Sequence, residues 1–463
     1  MDSKKMKNKT NSRVTSGFTQ TRRDFLHSAA ATGAGLIFSP MVLGQTNSGK
    51  KPDDINVALL GAGRQGQVLL NTCIKIPGVR FKALCDIWTV YNQKIASRLL
   101  NAYKHEHNTY IDFKEMLDKE KDLDAVIIAT PDFWHSEHTI ECLKAGLHVY
   151  CEKEMSNTID GAKKMVEAAK TSGKLLQIGH QRRSNPIYIF CLEKLIKEAK
   201  LPGQITAVNG QWNKMESEPL GWAQNAIIDQ AVLNNYGYKS MQQFRNWCWY
   251  KGLGSGPVVD LGSNQIDIYN WFLDATPKTV TAIGGNNFYD KKTHEWYDTV
   301  MVVYEYQTSQ GPVMASYQTI TTNSRAGYYE AFMGNEGALN ISEHSSPWNG
   351  IYRERWVDAK NWEKWAQKGY IKLIESEPEE PLPTGVALDV HPSLPPVQYE
   401  ILAEFDKPVH QPHLENFFDA IRNGTKLNCP AETGYETAVT VLKINEAAEA
   451  GRKLTFEPAE FSI

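Results

Sequence analysis

The stretch "INVALLGAGRQGQ", residues 55–67, joins a short apolar run to three glycines, Gly61, Gly63 and Gly66, at G-x-G-x-x-G spacing. A chain built this way must end a strand, turn tightly and start a helix within a few residues. Glycine is required at the turn, at the close approach of backbone to a pyrophosphate, and where the helix crosses the strand; the helix N-terminus then faces the phosphates. The motif alone recurs by chance, but here Asp86 closes the next apolar run 20 residues after Gly66. A carboxylate there accepts hydrogen bonds from the adenosine ribose hydroxyls. It would repel a 2'-phosphate, so the expected cofactor is NAD rather than NADP. Arg64 and Gln65, inside the turn, belong to the same cofactor-binding set.

The runs "VRFKALCD" (79–86), "LDAVIIAT" (123–130), "LHVYCEK" (147–153) and "KLLQIGH" (174–180) follow at helical spacing. Strands apolar nearly throughout imply a parallel sheet covered by helices on both faces. The expectation is an α/β nucleotide-binding domain over 55–180. Ligands in such sheets lie outside the carboxyl ends of the strands. Two of those ends carry polar groups that should face the cofactor crevice: Thr130, Pro131, Asp132, Trp134 and His135 after one, Glu152 and Lys153 after another. His135 reads equally well as a helix cap and as a cofactor contact.

From about residue 203 the runs "GQITAVNGQW", "TVTAIGGNNF", "DTVMVVYEYQ" and "GPVMASYQTI" alternate more strictly and are joined by turns. They predict a second α/β domain, 181–463, with an open, mostly antiparallel sheet. The segment 345–401, with "EPEEPLPTG" and "HPSLPP", reads as an irregular insertion, either a surface excursion or a wall of a substrate or subunit contact.

With 50 Lys+Arg against 53 Asp+Glu, the chain has no positive excess to hold nucleic acid or an anionic membrane, and a small neutral partner is the better expectation. Seven cysteines, an odd number mostly in apolar runs, do not form a disulfide framework, and no C-x-x-C or H-x-x-x-H spacing supports a metal site. The N-terminus is basic and continues as "TRRDFLHSAAATGAGLIFSPMVLG", with Arg22 and Arg23 adjacent. The apolar run is too short to span a membrane and ends in small residues. Residues 1–44 therefore read as a removable twin-arginine export signal, which implies a periplasmic protein with no stable membrane insertion.

The succession "GAGRQG", "CDIW", "TPDFWH", "GLHVYCEKEMS", "IGHQRRSNP" and "GSGPVVDLGSNQID", with "HLENFFDAIRNG" and "GRKLTFEP" near the end, resembles the glucose-fructose oxidoreductase / inositol dehydrogenase (Gfo/Idh/MocA) superfamily. The resemblance implies an N-terminal Rossmann domain, a C-terminal α/β domain whose open sheet often mediates homo-oligomers, and NAD-dependent chemistry on a carbohydrate. In that family the lysine of an E-K-P motif contacts cofactor and substrate, and a D-x-x-x-H pair transfers the proton. The matching positions are Lys153, Asp260 and 264.

Two departures matter. "EKE" puts Glu154 in place of the proline, and Asn264 replaces the histidine. An amide cannot accept a proton near neutral pH, but it can hydrogen-bond a hydroxyl. Three readings follow: Lys153 as base, assisted by Asp260, with its ammonium disfavoured beside a cationic nicotinamide; His180 as a substitute base; or a protein that binds cofactor and ligand without turnover. Arg182, Arg183, Trp247, Asn264 and Asp267 are the candidate substrate contacts. Because free NAD is scarce outside the cytoplasm, an exported enzyme should carry its cofactor out bound and regenerate it in place. That favours an oxidoreductase acting on a secondary hydroxyl of a sugar or glycoside. The alternative is a glycoside-cleaving enzyme that oxidises, eliminates and reduces.

Overall fold

The computed structural model describes residues 53–343, 349–375 and 395–463. The expected export signal, 1–44, lies outside them. Strands β1 (Ile55–Leu60), β2 (Val79–Cys85), β3 (Asn108–Tyr110), β4 (Ala125–Ile128), β5 (His148–Cys151) and β6 (Leu176–Ile178) form a sheet in the order β3-β2-β1-β4-β5-β6, every pairing parallel. This is the Rossmann order, and its direction of winding reverses between β1 and β4, which opens the ligand crevice there. The strand at 108–110 was not legible in sequence: it has three residues, two of them exposed.

The alternation of side chains along each strand divides the interior in two. Val57, Leu59 and Ile127 face one core, and Ala58, Leu60, Val126 and Ile128 face the other. The first core is completed from far along the chain, where helix Gln411–Asn423 buries Leu414, Phe417 and Phe418 against it. The run "HLENFFDAIRNG", assigned by sequence order to the second domain, thus packs on the first.

The second sheet comprises β7 (Ile205–Asn213), β8 (Pro277–Gly285), β9 (Thr299–Thr308), β10 (Gly311–Ile320), β11 (Tyr328–Gly334), β12 (Gly337–Ile341), β13 (Gly350–Arg353), β14 (Ile371–Leu373), β15 (Val397–Ile401) and β16 (Leu454–Thr455). Their order is β14-β15-β13-β12-β11-β7-β10-β9-β8-β16, antiparallel except for β7 with β10. Helices Pro257–Leu273 and Ala431–Ala450 cover one face: Tyr269 Oη donates to the Ser316 carbonyl at 2.9 Å, and Tyr304 Oη to the Thr440 carbonyl at 3.0 Å. The chain is α/β with a parallel and a mostly antiparallel sheet, as the strand patterns indicated.

The reading of 345–401 as irregular is corrected. Its described part supplies β13, β14 and β15 at one edge of the sheet, and helix Ala359–Gln367 buries Trp362 and Trp365 one turn apart. Strands of three to five residues are too short for alternation to register, and the flanking prolines dominated the composition. Residues 345–348 and 376–394 of that segment lie outside the described residues.

Candidate active site

The glycine turn has the shape its spacing required. Gly61 sits at φ +91°, where an added Cβ would lie 2.7 Å from the Ala129 carbonyl and the Thr130 nitrogen, and a Cβ on Gly66 would lie 2.0 Å from the Gly61 carbonyl oxygen. These two glycines are demanded by the chain itself. Gly63 is not, because its nearest neighbour would be Asn92 Nδ2 at 3.9 Å. It caps helix Arg64–Cys73 and leaves open space before the helix's free N–H groups, as a pyrophosphate requires. Asp86 accepts from the Ala62 and Trp88 N–H groups, both at 2.7 Å. Burial raises its pKa against those bonds. Asn92 Nδ2 also donates to it, at 3.3 Å to Oδ2, and Asp86 lines the cavity, so turn, helix and carboxylate together fit a dinucleotide.

One cavity of about 690 Å³ contains this turn and extends to the second domain. Gly61, Gly63, Arg64, Gln65 and Asp86 line it, as do Thr130, Pro131, Trp134, His135, Glu152 and Lys153. Asp260, Asn264 and Trp247 line it from the second domain. Gln65 Nε2 donates to Glu152 Oε1 at 3.2 Å and lies 3.0 Å from His410 Nε2, a contact that joins three distant segments at the crevice. His135 places each ring nitrogen 2.7 Å from a carbonyl oxygen, those of Glu154 and Thr130, and as a neutral ring donates to one of them. Burial pushes its pKa down to about 4 against those acceptors. It braces two strand ends rather than offering a free ring nitrogen.

Between β7 and helix Pro257–Leu273 the chain crosses the nucleotide face of the first domain. Trp88 Nε1 donates to the Ala226 carbonyl at 2.6 Å, Trp134 Nε1 to the Tyr236 carbonyl at 3.3 Å, and the Arg245 guanidinium lies 4.9 Å over the Trp88 ring. Tyr236, Tyr238, Phe244 and Arg245 therefore form the outer wall of the cofactor cleft.

Asp260 and Asn264 stand one turn apart on helix Pro257–Leu273 and share a face. Lys153 Nζ donates to Asp260 Oδ1 at 2.8 Å and to its backbone carbonyl at 2.5 Å. Burial disfavours the ammonium, but attraction from Asp260, Glu152 and Glu154 outweighs it and raises the lysine's pKa. Burial likewise disfavours the Asp260 carboxylate, yet Lys153 holds it below its ordinary pKa. Without a cofactor beside it Lys153 is held as the ammonium; its reading as a base concerns the site with a cationic nicotinamide beside it. Asn264 is buried with Oδ1 unpartnered, so its amide oxygen can accept a hydroxyl proton in a hydrogen bond.

Five nominated residues are not in the cavity lining: Gly66, which packs against the Gly61 carbonyl, and His180, Arg182, Arg183 and Asp267. His180 is 1% exposed with neither ring nitrogen hydrogen-bonded, and burial lowers its pKa to about 4. It enters the interior because its strand end turns inward, which removes it as substitute base. Arg183 Nε binds both oxygens of Asp267 at 2.9 Å, and Asp267 also accepts from Thr437 Oγ1 at 2.8 Å. Arg182 is held by Glu330. These three are internal charge pairs, as nearly buried ions must be.

Two carboxyls beside Lys153 carry more than the sequence reading gave them, which placed Asp132 at the crevice and noted Glu154 as a departure, neither with a chemical role. Asp132 opens helix Asp132–Lys144; its Oδ2 accepts from Ser255 Oγ at 3.1 Å while Oδ1 is unpartnered. Burial, then repulsion from Asp260, pushes its pKa up to about 7. Glu154 is 2% exposed, accepts from the Met155 N–H at 2.6 Å and leaves Oε2 unpartnered; burial pushes it up to about 8. Asp132 was visible in "TPDFWH" and Glu154 as the departure from E-K-P, so the signal existed. Trp212, also in the lining, was one of many second-half tryptophans able to stack on a sugar, whereas Gln181, Tyr328 and Glu343 were not singled out.

Two family models match the chain. Residues 55–180 match "Oxidoreductase family, NAD-binding Rossmann fold", and residues 225–456 match "Oxidoreductase family, C-terminal alpha/beta domain". An inositol 2-dehydrogenase/D-chiro-inositol 3-dehydrogenase of Shouchella clausii (strain KSM-K16) is 29% identical over 297 residues, 62% of this chain and 72% of the relative. A glycosyl hydrolase family 109 protein of Shewanella baltica (strain OS155 / ATCC BAA-1091) is 26% identical over 173 residues, 33% of this chain and 38% of the relative. Among solved structures, the aldose-aldose oxidoreductase of Caulobacter crescentus complexed with glycerol superposes with a TM-score of 0.62 at 19% identity, covering 87% of this chain and all (100%) of that one.

Two outcomes test the site. Gly63→Ala is expected to fold normally, since its Cβ has room, but to lose at least about tenfold in NAD affinity by calorimetry; unchanged affinity would place the phosphates elsewhere. The second concerns Glu154. A carboxyl whose folded pKa, about 8, exceeds its unfolded value of about 4.3 stabilises the fold at low pH, and that contribution is lost as pH rises through 8. Glu154→Gln mimics the protonated form, so the cofactor-free variant should melt near wild type at pH 5 and several degrees higher at pH 9. Parallel melting curves across that range would exclude a buried, protonated Glu154.

Proposed function

Because the chain belongs to the Gfo/Idh/MocA oxidoreductase family, with its NAD-binding Rossmann domain and C-terminal α/β domain, we propose that it is an exported enzyme that holds NAD tightly and oxidises or reduces a secondary hydroxyl of a sugar or glycoside. The observation that carries this is the single cavity running from the glycine turn and Asp86 to Lys153, Asp260 and Asn264. Bound NAD supplies the hydride acceptor. The chain's residues supply orientation and proton handling. Asn264 Oδ1 holds a hydroxyl, and Lys153 presents Nζ with Asp260 as the anion that steadies its charge. A cation placed beside Lys153 disfavours its ammonium, so the base form becomes accessible only in the loaded site. The wall of Tyr236, Tyr238, Phe244 and Arg245 supports tight retention of the nucleotide, which an exported enzyme needs.

The match to a glycosyl hydrolase relative over 33% of the chain favours a second reading, in which the same bound nucleotide serves oxidation, elimination and re-reduction of a glycoside. Product analysis separates the two: a keto-sugar supports the first, net cleavage without oxidation the second, and binding with neither product a non-catalytic role. For the first reading, Lys153→Met is expected to keep its NAD and lose turnover by at least about a hundredfold, the scale of general acid–base catalysis. Wild-type rates in that variant would sink the assignment. Mature protein recovered from a periplasmic extract should release NAD in mass spectrometry, and its recovery free of nucleotide would remove the tight-cofactor reading.

The uncovered face of the second sheet supports a homo-oligomer. Ile283 pairs across strands with Met301, Met314 and Met333 flank Ala207, and with Val303 these exposed apolar side chains lie on neighbouring strands, interspersed with polar ones. Grouped apolar exposure of that kind is unusual on a monomer. Light scattering should give a multiple of the chain mass at micromolar concentration, reduced to the monomer in Val303→Glu/Met314→Glu; a wild-type monomer would refute this.

A further inference from the structure

Besides Lys153, Asp260 and Asn264, the second domain and its approach contribute Gln181, Trp212, Tyr328 and Glu343 to the cavity. Trp212 and Tyr328 are cross-strand neighbours on β7 and β11, and their rings stack 4.4 Å apart at 23°. Behind them lies Arg182, its guanidinium 5.8 Å from the Trp212 ring and 5.5 Å from the Tyr328 ring. Arg182 is 1% exposed and engaged by Glu330, which also accepts from Tyr188 Oη at 2.9 Å. The cation therefore belongs to the wall and not to the lining.

Glu343 stands differently. Its side chain is 7% exposed, and Oε1 accepts from Gln181 Nε2 at 3.0 Å. Oε2 lies 3.8 Å from Arg182 Nε, beyond hydrogen-bond distance. Oε2 is thus ion-paired with Arg182 but makes no hydrogen bond, and Glu343 lines the same cavity as the aromatic pair and Asn264, whose Oδ1 is unpartnered. The other carboxyls in the lining leave no free lysine for an anion and add no cation: Asp260 pairs with Lys153, the one lysine among the lining residues, and burial holds Asp132 and Glu154 protonated to about pH 7 and 8.

We infer that Gln181, Trp212, Tyr328 and Glu343 form a polyol subsite that accepts neutral or amino-bearing sugars and rejects uronates and sugar phosphates. The inference rests on the sugar reading above and narrows its substrate class. A carboxylate acceptor suits hydroxyl or ammonium donors, and the apolar flank of a pyranose suits the aromatic pair. A second anion against Glu343 would lose its hydration and gain repulsion, with no lining guanidinium to receive it at this end. Discrimination of this kind comes from the repulsive element as much as from the attractive one.

The test uses NAD-loaded protein and matched pairs, glucose with glucuronate and galactose with galacturonate, together with glucosamine. Binding is followed by tryptophan fluorescence and calorimetry, and hydride transfer separately at 340 nm. A neutral sugar is expected to bind at least about tenfold tighter than its uronate, with glucosamine bound at least as well as glucose. Glu343→Gln should shrink the neutral-to-uronate ratio at least fivefold while NAD content stays at the wild-type level. Should that variant fail to fold, the wild-type ratio must still fall as ionic strength rises, because its origin is electrostatic. Equal binding of both members of each pair, a ratio untouched by Glu343→Gln, a ratio insensitive to salt, or no binding by any member would each overturn the subsite. Preferential binding without any absorbance change upholds the subsite and removes the oxidoreductase reading; oxidation without preference does the reverse.

Discussion

The ion pair between Lys153 and Asp260 is the contact on which the site's geometry depends. Lys153 follows β5 of the parallel sheet, and Asp260 lies in the first turn of the helix that covers the second sheet, so the pair fixes one domain's strand end against the other's helix start. Asp132 with Ser255 makes a second such tie a few residues before the helix begins, and Asn445 binds the Ser255 carbonyl at 2.7 Å from a third element. Ion pairs of this kind contribute little net stability, because desolvation offsets attraction. Their effect here is positional. With Lys153 and Asp260 fixed, helical spacing alone sets Asn264 on the same face.

That arrangement also explains how an ammonium survives in so closed a space. Asp260, Glu152 and Glu154 together overcome the burial of Lys153, while the same burial keeps Glu154 and Asp132 protonated up to about pH 8 and 7. A site with several carboxyls and one lysine can avoid a large negative charge only by leaving some of the acids neutral. The departure from E-K-P is thus more than a lost proline, since Glu154 adds an acid whose proton count follows the charge of whatever occupies the cleft.

The Rossmann half was legible because its signals are local: the glycine spacing, the carboxylate 20 residues on and the doubly buried strands each fall within a few dozen residues. The lysine and aspartate were legible through family spacing. What stayed hidden depends on distant packing. "GHQRR" looks like a polar strand end, but Asp267 and Glu330, 84 and 148 residues away, draw its arginines inward and His180 follows. Charged residues near a crevice read as ligand contacts until their internal partners are known. Glu343 shows the converse, for it lies two residues past the end of β12, and only the fold brings it into the same cavity lining as Asn264.

The chain path gives the final constraint. The segment between β7 and helix Pro257–Leu273 starts in the second domain, closes over the nucleotide face of the first through Trp88, Trp134 and Arg245, and returns to deliver Asp260 and Asn264. Outer wall and catalytic helix are therefore continuous in sequence. Displacing that wall enough to release a nucleotide would pull on Ser255 and the helix start, whose ties to Asp132 and Lys153 resist it. On the proposed reading, retention of the cofactor and placement of the proton-handling groups would both follow from the same set of contacts.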